Sequence, residues 1–463
     1  MPGMRPAAPP PRRRAGQQGL AALAVVLLLF FVVSLVAAYT SRNLIFEQRT
    51  GINQYRSTQA METAEAALEW ALLKLNGGRI DGDCEPSTEP SDTSYRERYL
   101  VVDPDKGFYA PRLNAATGAA AFATCVRDGA AWRCRCPATG VELPDAPAGD
   151  GPHPAFRVAL VGSSTRPGMV RIYANACTRL AEACLAFAPN MSTLPIVRAV
   201  APGGEGFAAI STWAGMTGRV PALERSATKI VTVVAPRDTI VARQDIGSSG
   251  GSLVAGRRGQ DLGFAARAGG TIAGIGVEAA PGSPADTATA LRAGDDALAG
   301  LALPEPSLAG MRMFASVFMM RPETFRDQPA AVVLDCGMSA CDGSTLATTV
   351  ALNPGRPIWV EGDLLLDGSG DIGSSAMPVT LVVTGDLDFD AGGRTVHGLV
   401  YGRAANWRLS GLARVEGALV AENQLDIATS PGSAVRHDPE VMRHLATLSG
   451  SFVRVPGSWK DFP

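Results

Sequence analysis

The chain has 463 residues, too many for one ordinary compact domain and enough for two to four units. Its formal net charge is −2, so it has no polybasic footprint and no nucleic-acid partner is expected. The 51 glycines and 33 prolines lie between strand-like apolar runs, which argues for β-rich structure with many turns and against a disordered chain.

The first element is carried by RRRAGQQGLAALAVVLLLFFVVSLVAAYTSR, residues 12–42. Residues 20–39 are apolar or small over the length a helix needs to cross a bilayer. Arg12, Arg13 and Arg14 precede them, so the positive-inside rule keeps the N-terminus cytoplasmic and puts the chain beyond Tyr39 outside. The apolar run exceeds the usual core of a cleaved secretory signal, although Val36-Ala37-Ala38 resembles a cleavage site. From Arg42 to Asn76 there is no proline and one glycine, Gly51. Ile45, Ile52, Tyr55, Ala60, Ala64, Ala67, Leu68, Ala71, Leu72 and Leu75 recur at helical spacing, with Glu62, Glu65, Glu69 and Lys74 on the other face. Asn76-Gly77-Gly78 reads as a stop in which glycine takes a left-handed cap. One helix is therefore predicted over 20–75, roughly 80 Å at 1.5 Å per residue.

GQQGLAALAVVLLLFFVVSLVAA followed by FEQRTGINQYRSTQAMETAEAALEWALLKL resembles the N-terminal region of PilX-type minor pilins of type IV pili. The matching positions are Gln48, Arg49, Gly51, Asn53, Ala60, Ala64, Glu65, Ala66, Ala67 and Leu68, and the likeness covers roughly residues 12–78. It implies a leader (1–19) removed by prepilin peptidase after Gly19, leaving Leu20 as the mature N-terminus. It also implies a retained helix (20–78) whose span, including Leu20, Ala24 and Tyr39, packs among other pilins and the assembly machinery in the inner membrane. Two positions depart from major pilins: Leu20 follows the glycine where Phe is usual, and Ala24 stands where most pilins have Glu. That Glu is credited with pairing to a neighbour's N-terminal amine, which Ala24 cannot do. A subunit at the start or tip of a filament needs the pair least. GspK-like tip pseudopilins of type II secretion systems share this lack and are the nearest alternative.

The eight cysteines fall in local groups, which outside the cytoplasm favours disulfides over metal. Spacing favours Cys177 with Cys184 and Cys336 with Cys341; pairing among Cys84, Cys125, Cys134 and Cys136 stays open at this level. CRC and CGMSAC lack the knuckle spacing of zinc sites, and the four histidines lie mostly far from cysteines.

Residues 79–155 show little periodicity and read as a disulfide-tied loop region ending in the linker GDGPHPA. Residues 156–235 carry strand signals: FRVALVGSS and MVRIYANACT across a TRPG turn, then GFAAISTWAG and ATKIVTVVA. An antiparallel sheet covering the long helix is the expected arrangement. From 236 to 463 short apolar bursts alternate with Gly, Asp and Ser. VEGDLLLDGSG repeats as VTGDLDFDAGG 23 residues later, VHGLVYGRAANWRLSG as VEGALVAENQLDIATS 19 later, and GGSLVAGRRG as GGTIAGIGVE also 19 later. A repeat near 20 residues predicts a β-solenoid with apolar residues inward and Gly-Asp corners. At those corners Asp is expected to bond its own backbone, and no calcium-loop pattern occurs. A helical insertion is expected near 283–330, with a linker over 279–300 and a helix over 307–330 broken at Pro322. Met311, Met313, Met319 and Met320 with Phe314 and Phe318 read as core packing rather than a binding stripe.

No nucleophile elbow, phosphate loop, dinucleotide fingerprint or HExxH occurs. GSSGG (247–251) lacks a strand-to-helix context; His437-Asp438 and His444 lack a nucleophile motif; Glu361 with Asp363 has no specified geometry. The expectation is a non-enzymatic, cofactor-free α+β protein: a pilin-like helix with an antiparallel sheet, then a β-solenoid-like C-terminal domain. It would act as a priming or tip-located minor pilin, with adhesion a further role. A membrane-anchored β-helix carbohydrate-binding protein or enzyme is the alternative from a different class.

Overall fold

A computed structural model describes residues 18–103, 106–149, 151–187, 205–217, 237–249, 253–257, 263–278, 287–301, 306–390 and 392–460. The leader up to residue 17 and the segment ATKIVTVVA lie outside these, as do 279–286 of the expected linker. The chain divides into two compact units, Met1–Gln59 and Ala60–Pro463.

The long helix runs from Gln18 to Leu75 without a break. Its end differs from the expected cap. Neither Gly77 nor Gly78 has positive φ. The last turn tightens instead, with Asn76 N–H donating to Leu73 O and Gly77 N–H to Lys74 O, both at 3.1 Å. Gly78 is required for space: a Cβ there would meet Leu352 O at 2.6 Å.

Within the second unit, Ala60, Ala64, Ala67, Leu68, Ala71 and Leu75 are buried. Alanine at this spacing lets the helix lie close to a sheet face formed by Phe156, Val158, Leu160, Val170, Ile172 and Ile210. That sheet has six strands, all antiparallel, in the order Ser451–Arg454, Phe207–Thr217, Met169–Cys177, Ala155–Gly162, Ala123–Asp128, Ala131–Arg135. Two expectations are corrected here. The region 79–155 is not all loop, because 123–135 forms a hairpin that extends the sheet, with Cys125 facing Cys134 in register. The C-terminus does not stay with the second half, because Ser451–Arg454 returns to pair with Thr217–Ala214. The returning strand was not legible because its partner lies far away in sequence; the hairpin did carry a local signal, the turn at Asp128-Gly129, where Gly129 has positive φ, and it was overlooked.

The strands after residue 237 pair mostly parallel, in one sheet of 15 among the described residues. Ile358 faces Leu381 and Leu364 faces Leu387, so the 23-residue repeat is also the register. Val396–Gly402 pairs with Arg414–Ala421 at offset 19. The third repeat does not hold. Leu253 faces Ile275, not Ile272, while Ile272 bridges Ile246. In strands of three to five residues a three-residue misalignment removes too few contacts to show in sequence. Stacking order also departs from chain order. Ile240–Ala242 sits between Leu419–Ala421 and Ala266–Ala268, so the first strand of the region lies inside the stack. Inward-facing Val360, Leu381, Val400, Leu419, Trp407 and Leu425 form its core.

The expected helical insertion is present as Pro306–Phe318 and Pro322–Arg326, separated before Pro322. The linker before it is more ordered than composition implied: Leu291–Arg292 joins the parallel sheet. Met313, Phe314, Phe318 and Phe325 are buried against Trp359 and Tyr401, with Phe314 and Tyr401 ring centroids 5.1 Å apart. Met319 is exposed at positive φ.

Candidate assembly interface

The helical stretch 22–55 presents an unusual surface for a folded chain. Leu23, Val26, Leu28, Phe30, Phe31 and Val33 are each about 60–70 % exposed. Lone exposed apolar residues are ordinary, but a contiguous stripe of this length marks a surface that meets lipid or protein. The helix is long and apolar enough to cross a membrane. Exposure continues past Tyr39 through Leu44, Ile45, Phe46, Ile52 and Tyr55. The two threonines of this stretch bond the helix backbone: Thr40 Oγ1 donates to Val36 O, and Thr50 Oγ1 to Phe46 O at 2.9 Å. Phe46 lies on the uncovered surface but escaped the periodicity reading.

Gly19 and Leu20 lie in the first turn of the helix, which begins at Gln18. Ala24 and Tyr39 are exposed. A methyl group at 24 leaves that position with no charge to offer a neighbour.

The four disulfides are Cys84–Cys136, Cys125–Cys134, Cys177–Cys184 and Cys336–Cys341. The first two resolve the pairing that spacing left open. No cysteine is free among the described residues.

Where the helix ends, a polar clamp ties it to the C-terminal strand. Asn76 Nδ2 donates to Phe452 O at 2.8 Å, and Phe452 N–H donates to Asn76 Oδ1 at 2.7 Å. Arg96 donates to Leu75 O from Nε (3.1 Å) and Nη2 (3.0 Å), to Leu448 O and to Gly450 O. A guanidinium collecting carbonyls at a helix C-terminus is favoured by the helix dipole, yet its burial pushes it down from its ordinary value. Arg454 Nη2 pairs with Glu69 Oε1 at 2.5 Å. No sequence signal pointed to Arg96, because its partners are backbone atoms from distant segments.

Residues weighed as chemical candidates have structural partners. Asp363 Oδ1 accepts from Asp386 N at 2.8 Å, Asp386 Oδ1 from Arg408 N at 3.2 Å, and Asp367 Oδ1 from Gly343 N at 2.8 Å. These corner carboxylates bond the backbone of a neighbouring strand segment rather than their own. Glu361 is paired with Arg326 at 2.5 Å. Asp438 caps the helix Pro439–Leu448, accepting from Glu440 N and Val441 N, and His444 Nδ1 lies 2.6 Å from Ser375 O. Among the described residues no group of three or more His, Cys, Asp or Glu side chains is arranged to hold a metal.

No match is found among curated proteins or among solved structures. Residues 18–69 match the PilX N-terminal family, the stretch that holds the uncovered apolar stripe and the start of the buried alanine face. This segment of the chain is a PilX-type pilin N-terminal region, related to type IV pili, and implies packing with other pilins.

Proposed function

We propose that the protein is a minor pilin of the type IV pilus class that acts by assembly and catalyses no reaction. Prepilin peptidase cuts it after Gly19, on the cytoplasmic side, and residues 20–39 hold it in the inner membrane with the second unit in the periplasm. The observation that carries this reading is the division of one helix. Apolar residues from Leu23 to Tyr55 are uncovered, whereas Ala60 to Leu75 are sealed into the sheet. An uncovered apolar helix needs partners, and helices of like subunits supply them.

The parallel strand stack supports a solenoid-like C-terminal domain. Its bulk disfavours repetition along a thin fibre and favours a priming or tip position, where a rigid stack would also present an adhesive surface. Ala24 favours the same position and keeps the GspK-like pseudopilin as the second reading. Copurification with pilus subunits or with secretion-system subunits separates these two.

The test is the mature N-terminus. Peptide mapping should find Leu20, and Gly19→Leu should leave the full-length precursor on a gel. A mature N-terminus at Tyr39 would mean an ordinary secretion signal and would overturn the pilin reading.

A further inference from the structure

A cavity of about 500 Å³ opens where the strand Leu100–Val102 faces Pro354, Met377 and Leu448. Small-molecule sites usually occupy about 300–1,000 Å³, with apolar walls and a few convergent polar groups. The walls fit that description: Leu100, Val102, Met377 and Leu448 line one part, and Arg96, Arg98 and Arg112 another.

The charges around it do not balance. Arg96 spends its donors on the carbonyls of Leu75, Leu448 and Gly450, which satisfy hydrogen bonds but supply no countercharge. Arg112 does the same with the carbonyls of Glu97 and Leu100. Arg356, next to this group, bonds Ala330 O and Asn353 Oδ1. Among these four only Arg98 reaches a carboxylate at ion-pair distance among the described residues, Asp92 at 3.7 Å. Glu97, the acidic residue in the lining, accepts from Ser94 and keeps its charge, which acts on Arg96 through space without an ion pair; with Asp92 it leaves two of the four cations uncompensated. Arg98 is 9 % exposed; its Nη atoms donate to the carbonyls of Ile80, Asp81 and Cys136, and its Nε has no partner among the described residues. Burial, and for Arg356 also the nearby charge of Arg96, pushes both Arg96 and Arg356 below the ordinary guanidinium value. Buried cations without countercharge are costly, a cost that falls here on Arg96 and the partly buried Arg356 rather than on the exposed Arg112, and a bound anion relieves it.

We propose that this cavity binds a small amphipathic anion, its acidic head among the guanidiniums of Arg96, Arg98 and Arg112 and its apolar body against Leu100, Val102, Met377 and Leu448. The inference stands apart from the pilin reading, since it uses only residues of the second unit.

The probe is 4-phenylbutyrate, with 4-phenylbutylamine as the charge-reversed control. Both are offered to the full chain in phosphatidylcholine nanodiscs, and saturation-transfer NMR is read against empty discs. The acid should give a protein-dependent signal, and the amine should bind at least about tenfold more weakly, the loss of one charge-assisted contact. Met377→Trp, which fills the cavity, should abolish the signal. Arg112→Gln, at an exposed side chain, should weaken binding about tenfold while the thermal melt stays unchanged. No signal from the acid, equal signals from acid and amine, or full binding by both variants would each overturn the proposal.

Discussion

In the antiparallel sheet the strands reach 11 residues, as in Phe207–Thr217, and a single helix face seals them. In the parallel stack strand length runs from three residues, as in Ile240–Ala242, to 11, as in Val332–Asp342, and side chains of successive strands fill the interior. The antiparallel region is closed by distant chain: Asn76 and Phe452 are 376 residues apart. The parallel region is held mostly by neighbours about 20 residues apart. The antiparallel sheet therefore takes its edge strand from the far end of the chain, whereas distant pairing in the parallel sheet is confined, among the described residues, to the strands at 240–257, which pair with 414–437.

The sharpest way to break this contrast is Phe452→Ala. Phe452 is fully buried and packs on Tyr109 with ring centroids 5.4 Å apart. The substitution should cost about 3–5 kcal/mol by denaturant unfolding. Hydrogen exchange should rise in Ala155–Gly162 and Met169–Cys177 and stay slow in Val396–Gly402 and Arg414–Ala421. Equal loss of protection in both sets would show that the two regions unfold as one.

The disulfides give the next largest difference. Cys84–Cys136 closes 52 residues and Cys336–Cys341 only 5. On the loop-closure account, replacing both cysteines by serine should cost about 4 kcal/mol for the first pair and about 2 for the second. Thermal melts of the two double variants test the order; a reversed order would place the constraint in the parallel region.

A smaller effect is expected from Asp386→Ala. The carboxylate accepts Arg408 N–H in the neighbouring segment and is exposed, so about 1 kcal/mol should be lost. A loss several times larger would mean that corners, not the apolar interior, hold the stack.

The smallest effect is pH-dependent and belongs to the antiparallel region. Arg157 is buried and donates to both oxygens of Glu182, at 2.6 and 2.5 Å. These hydrogen bonds hold the Glu182 carboxyl below its ordinary value. A depressed folded value means that the stabilisation is present above the unfolded value, about 4.3, and is lost as pH falls through the folded one. Glu182 is half exposed, so the effect should stay below about 1 kcal/mol. The melting difference between the protein and Glu182→Gln should therefore be visible at pH 7 and vanish at acidic pH; a difference that persists in acid would assign it to packing.

Much of this was readable from residues alone. Periodicity located the long helix, and proline separated the two short helices before Pro322. The 23-residue repeat fixed a register because its alternating Leu and Val all face one core. The Gly-rich repeat near 253 misled because its strands are too short to define their own alignment. The hairpin at 123–135 was missed although Asp128-Gly129 marks its turn, because its short strands lie among Pro, Gly and Cys that read as loop.

The candidate interface divided in the same way. The apolar run and its small-residue continuation were visible residue by residue, since lipid and a flat sheet each demand a particular side chain at each turn of a helix. The clamp of Asn76, Arg96 and Phe452 was not visible, because its partners are main-chain atoms, which every residue carries.

By itself the sequence determined the long helix, the two short helices around Pro322, the strands of the 23- and 19-residue repeats and the segment that resembles a pilin, because all of these depend on interactions within a few turns or one repeat. Tertiary structure alone decided that the last strand closes the first sheet, that Ile240–Ala242 stacks inside later strands, and that unbalanced guanidiniums meet at one cavity. Those outcomes depend on which distant surfaces exclude water together, and no local pattern of residues encodes that choice.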